Sequence, residues 1–155
     1  MSNRETDAEY DTDSEVRSDV SPNPNERGKW LSAIIALLGL WMLAQAFLFD
    51  IVASQFWNDI VAGALLLAVG AYNYSRRGSD EVGSVGAAAI AALVGLWLVA
   101  APFMFGADAG TTEAVNDLAF WNDIVVGLLA LGVGAFSAYS ARDQQREARQ
   151  MGHEG

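Results

Sequence analysis

The sequence predicts an all-α membrane protein, with four transmembrane helices paired as two parallel-repeat helical hairpins behind a disordered acidic N-terminal tail. Three observations lead there. After Lys29 the chain is dominated by long apolar runs that carry almost no charge. Its nine Lys and Arg residues are confined to alternate connections between those runs. And the phrase FWNDIVAG at 56–63 returns as FWNDIVVG at 120–127.

Residues 1–28 form the tail. They hold eight acidic residues (Glu5, Asp7, Glu9, Asp11, Asp13, Glu15, Asp19, Glu26) and little that could be buried. Such a segment cannot offset its ordering entropy and is expected to be a solvated, disordered arm, the alternative being an acidic lure for a basic partner. The first span is 30–49, WLSAIIALLGLWMLAQAFLF, without a charge. About 20 residues at 1.5 Å each cross roughly 30 Å of hydrocarbon, where the backbone must satisfy its own hydrogen bonds as a helix. A second span at 60–75 reaches full length when the preceding Trp-Asn-Asp is included, and spans at 82–105 and 124–141 follow. None has the polar face of a soluble amphipathic helix. The first run lies behind a long acidic arm and is too long for the apolar region of a signal peptide.

Orientation follows from the basic residues. Arg4, Arg17, Arg27 and Lys29 precede the first span, Arg76 and Arg77 separate the second from the third, and Arg142, Arg146 and Arg149 follow the fourth. The connections 50–58 and 106–121 have none. A multi-pass protein of the cell membrane is expected, with both termini and the middle connection in the cytoplasm. The organisation is then 1–28 tail, 29–77 first hairpin, 82–141 second hairpin and 142–155 polar cytoplasmic tail.

The repeat extends beyond the quoted phrase. Between 33–49 and 89–105, ten of seventeen positions are identical; between 56–71 and 120–135, twelve of sixteen are. The two offsets are 56 and 64, so the second outward connection is longer by eight residues. Both hairpins enter from the same side, which makes them parallel repeats. Asp59, Gly63 and Gly70 share one helix face, as do Asp123, Gly127 and Gly134, with Gly39 and Gly95 as counterparts on the ascending helices. These glycines are expected to line helix–helix seams. The triplets Trp57-Asn58-Asp59 and Trp121-Asn122-Asp123 are expected at outer helix starts, Asn as cap, Asp in the first turn and Trp at the interface. The alternative is an outward cation site formed by Asp59 and Asp123 with Asp50, Asp108, Glu113 or Asp117.

This arrangement resembles the SPW-repeat integral membrane proteins, on Gly-Leu-Trp (39–41 and 95–97, with Trp41 and Trp97) followed by a triplet site and then Trp-Asn-Asp-Ile-Val-x-Gly. The resemblance covers roughly 30–141 and implies a pair of transmembrane helices per repeat, with Ser-Pro-Trp near the end of the first. Here the triplet is Gln45-Ala46-Phe47 in repeat one and Ala101-Pro102-Phe103 in repeat two. Pro102 is expected to bend or end the third helix near the outer surface, with Phe47 and Phe103 packing there. The resemblance implies no biochemical activity. The acidic balance, net charge −10 and pI near 4.3, resembles that of a salt-adapted, haloarchaeal proteome.

Little in the chain points to catalysis. No cysteine is present, and the one histidine, His153, lies in the C-terminal tail. Phosphate-loop, HExxH and GxSxG motifs are missing, so neither an enzyme nor a cofactor or metal centre is expected. Ser32, Gln45, Asn73 and Ser137 are the polar groups in or near the spans, and Gln45 is expected to join helices rather than hold a substrate. No ionisable residue is expected deep in the membrane, which argues against proton-coupled transport. Two functions remain: a non-enzymatic structural or accessory membrane protein, or a small channel or carrier whose outer carboxylates attract cations. The expected partners are the lipid bilayer and either a second copy or another membrane protein, not nucleic acid.

Overall fold

The structure is a computed structural model that describes residues 24–79, 81–105 and 117–152. Most of the acidic arm, together with Asp108, Glu113 and His153, lies outside them. Among the described residues four helices follow one another: α1 (Pro24–Leu48), α2 (Ala53–Gly78), α3 (Val85–Phe105) and α4 (Asp117–Met151). Pro24 opens α1, where a missing N–H costs nothing. Ser84 caps α3, its hydroxyl accepting from Ala87 N at 3.2 Å.

The helices pack antiparallel in chain order, and α4 returns to α1 to close the bundle. Within each hairpin the buried positions alternate in steps of four and three. In α2 they include Asp59, Gly63, Leu66, Gly70, Asn73 and Arg77; in α4, Asp123, Gly127, Ala130, Gly134, Ser137 and Ala141. That 3.5-residue period is the one of left-handed helix packing. Close approach depends on glycine. A Cβ on Gly63 would lie 2.9 Å from Gly39 O, and one on Gly127 would lie 2.7 Å from Gly95 O. Gly70 and Gly134 abut Ala36 and Ala92 at the matching places.

The distribution of side chains is inverted relative to a water-soluble bundle. Trp30, Leu37, Leu93, Val125, Leu128 and Phe136 are exposed, whereas Ser32, Gln45, Asp59, Asn73, Arg77, Asp123 and Ser137 are buried among alanines. Exposed apolar surface on this scale belongs against lipid. Among the described residues three helices are long and apolar enough to cross a membrane: Glu26–Leu48, Val85–Phe105 and Asp117–Met151. The sequence predicts four spans; α2 has the length but not the hydropathy. The reason is visible in its buried face, where Gln55, Asp59, Asn73 and Arg77 lower its apolar character while Trp57, Val61, Leu65 and Tyr72 remain outside.

One local expectation fails. Trp-Asn-Asp does not start either descending helix. Val52 is the N-cap of α2, without a side-chain cap bond, so Asn58 is already the sixth helical residue. Asn122 is likewise sixth in α4. The segments Ala-Ser-Gln-Phe and Asp-Leu-Ala-Phe contain no helix breaker, so each helix begins more than a turn earlier. Pro102 lies within α3, three residues before its C-terminal residue Phe105. Beyond its apolar run, which ends at 141, α4 continues as helix to Met151.

Candidate functional site

At the end of the bundle near the α1–α2 connection, polar side chains from both hairpins meet in one layer. Gln45 is central and fully buried. Its Nε2 donates to Asp59 Oδ2 at 3.2 Å and to Asp123 Oδ1 at 2.7 Å, so one amide nitrogen joins a carboxylate from each descending helix. Asp59 and Asp123 are 0% and 1% exposed, so these carboxylates depend on protein donors for their hydrogen bonds. Gln55 Nε2 supplies Asp123 Oδ2 at 3.2 Å, and Asn58 Nδ2 supplies Asp59 Oδ1 at 3.3 Å.

Two reciprocal clamps flank this centre. Trp97 Nε1, from hairpin two, donates to Asn58 Oδ1 of hairpin one at 2.7 Å. Trp41 Nε1, from hairpin one, donates to Asn122 Oδ1 of hairpin two at 3.1 Å. Asn122 Nδ2 in turn donates to Gln45 Oε1. The Trp of Gly-Leu-Trp and the Asn of Trp-Asn-Asp are therefore partners across the repeat, each copy holding the other. Aromatic stacks repeat as well. Phe47 meets Phe56 edge-to-face at 5.4 Å, and Phe103 meets Phe120 at 5.3 Å. Trp57 and Trp121 extend these stacks outward, each more than half exposed.

The repeats differ at the centre. Gln45 corresponds to Ala101, and Gln55 to Ala119. Beside Ala101 and Pro102 a cavity of about 10 Å³ touches Asp123, Gln55 and Asn58. That is about the size of one water molecule and too small for an organic substrate.

With this geometry in view, the chain can be placed. The family model of the SPW repeat domain matches residues 29–137, most of the chain. The chain belongs to the SPW repeat family. No curated protein and no solved structure matches it. SPW repeat proteins are membrane-associated, in keeping with the three helices suited to crossing a bilayer, and membership carries no assigned activity. At the SPW triplet sites, repeat one contributes the bridging Gln45, whereas repeat two contributes Ala101 and Pro102, both buried.

Asp59 and Asp123 come together, but not with the carboxylates grouped with them from sequence. Asp50 and Asp117 are exposed, and Asp108 and Glu113 lie outside the described residues. Among the described residues no three His, Cys, Asp or Glu side chains are placed to hold a metal. Instead of facing outward as cap residues, Asn58, Asp59, Asn122 and Asp123 join the hairpins. Asp59, Asp123 and Arg77 are ionisable groups buried inside the bundle, the two aspartates toward one end and Arg77 at the other. Gln55 and Arg77 were not singled out by the sequence. Both lie in register with Asp59 on the buried stripe of α2, and that periodicity is the signal that marks them.

Proposed function

We propose that this SPW repeat protein is a four-span, non-enzymatic structural or accessory protein of the cell membrane, with both termini in the cytoplasm. The observation that carries this reading is the closure of the polar layer upon itself. Gln45, Asn58 and Asn122 spend their amides on Asp59, Asp123, one another and the two tryptophans, and the cavity beside them, about 10 Å³, is too small for an organic substrate. The fourth span is α2, whose polar side chains turn inward against α1 and α3 and whose outer face is apolar. The remaining exposed apolar surface serves lipid and a second copy or another membrane protein.

A small cation channel or carrier is the second reading, favoured by one feature. Two buried carboxylates converge on one amide nitrogen and are met by neutral amides alone among the described residues, an arrangement that attracts a cation. Ion flux into proteoliposomes separates the two. The accessory reading predicts flux equal to that of empty vesicles; flux above that level, lost in Asp59→Asn/Asp123→Asn, would establish the carrier. Orientation is tested by cysteine labelling: Ser79→Cys should react from the inside and Gly110→Cys from the outside.

A further inference from the structure

The opposite end of the bundle holds a buried cation that the polar layer does not use. Arg77, the penultimate residue of α2, is 1% exposed and is among the largest fully buried side chains. Its Nε and Nη2 have no hydrogen-bond partner among the described residues. The guanidinium lies in a slot left by two glycines: a Cβ on either Gly28 or Gly83 would overlap it. Glu81, in the following connection, pairs with the neighbouring Arg76 at 3.2 Å.

Arg77 lines a cavity of about 190 Å³ together with Arg27, Ser140, Gln144, Leu31 and Phe136. Gln144 Oε1 is also buried without a partner there, so its amide is available to present either end to a ligand. Two guanidinium groups, a hydroxyl and an amide make a donor set suited to the oxygens of a phosphate group. The apolar side of the cavity, Leu31 and the exposed Phe136, gives a phosphate ester's hydrocarbon a route along the bundle surface.

The fold itself does not require this arrangement. In the second hairpin the position of Arg77 is Ala141 and that of Gly28 is Ser84, and Ala141 closes its seam fully buried. A buried guanidinium whose Nε and Nη2 have no partner among the described residues is costly, so its retention with a glycine slot and an adjoining cavity points to an anion that answers it.

We propose that Arg77, with Arg27, Ser140 and Gln144, forms a phosphate-binding site at the end of the bundle that holds the α2–α3 connection, occupied by the headgroup of an anionic phospholipid or by free phosphate. The test uses the full chain in neutral detergent. Native mass spectrometry and thermal unfolding are followed on titration with phosphatidylglycerol, and separately with inorganic phosphate. One phosphatidylglycerol per chain should be retained and raise the unfolding temperature, and Arg77→Gln should weaken that binding roughly ten-fold or more. Saturable binding of inorganic phosphate with the same Arg77 dependence assigns the site to the free ion. If Arg77→Gln fails to fold, Arg27→Gln, on the exposed rim, should still lower the affinity several-fold. Absence of binding by both ligands overturns the proposal, as does full retention in the Arg77→Gln protein, or in Arg27→Gln where Arg77→Gln does not fold.

Discussion

In hairpin one, Gly39 meets the backbone of Gly63 and Leu67; in hairpin two, Gly95 meets that of Gly127 and Leu131. The contacts recur residue for residue, and so do the Phe47–Phe56 and Phe103–Phe120 stacks. Four buried polar side chains of hairpin one do not recur in kind. Hairpin one places Gln45, Gln55, Asn73 and Arg77 where hairpin two has Ala101, Ala119, Ser137 and Ala141. Duplication thus preserved the backbone fit within each hairpin, while polar chemistry at the shared core became concentrated in one copy. The Trp–Asn clamps and the buried pair Asp59 and Asp123 are retained in both copies, and each half of a clamp comes from a different hairpin.

The symmetric part is the most sensitive to mutation. Gly63→Leu and Gly127→Leu each drive a side chain against a facing backbone, and each should cost about 3 kcal/mol or more, or prevent folding, by unfolding in detergent. Similar losses in the two variants fit equivalent seams; a loss confined to one hairpin would break the equivalence. Trp41→Phe and Trp97→Phe keep the ring and remove one N–H donor each. Both should cost about 1 kcal/mol, and a large difference between them would show that one clamp dominates. The smallest effect has the opposite sign. Gly132 has no neighbour within 4 Å of where a Cβ would lie, and the matching residue of hairpin one is already Ala68. Gly132→Ala should therefore stabilise the protein by up to about 1 kcal/mol.

These cases also separate what the sequence expresses from what it conceals. The four helices, their pairing and the repeat were legible because lipid-length apolar runs and a repeated phrase are properties of the chain itself. Gln45 was legible as a polar residue in an apolar run, which must find a partner. The place of Trp-Asn-Asp was not. Asn followed by Asp before an apolar run has the local form of a cap, yet the true partners, Trp97 for Asn58 and Trp41 for Asn122, come from the other repeat. Local pattern cannot distinguish a cap from a residue held across a seam. Arg77 was concealed for a related reason. It read as a loop charge that sets orientation, whereas Gly28 and Gly83, distant from it or beyond the helix end, make room for its burial.

The polar layer fastens hairpin one to hairpin two through Gln45. A double-mutant cycle of Gln45→Leu and Asp123→Asn, read by unfolding in detergent, tests it most directly. The bond between them is 2.7 Å and buried, so a coupling of at least about 1 kcal/mol is predicted. Additive losses, with coupling below about 0.3 kcal/mol, would contradict a fastening role for this bond.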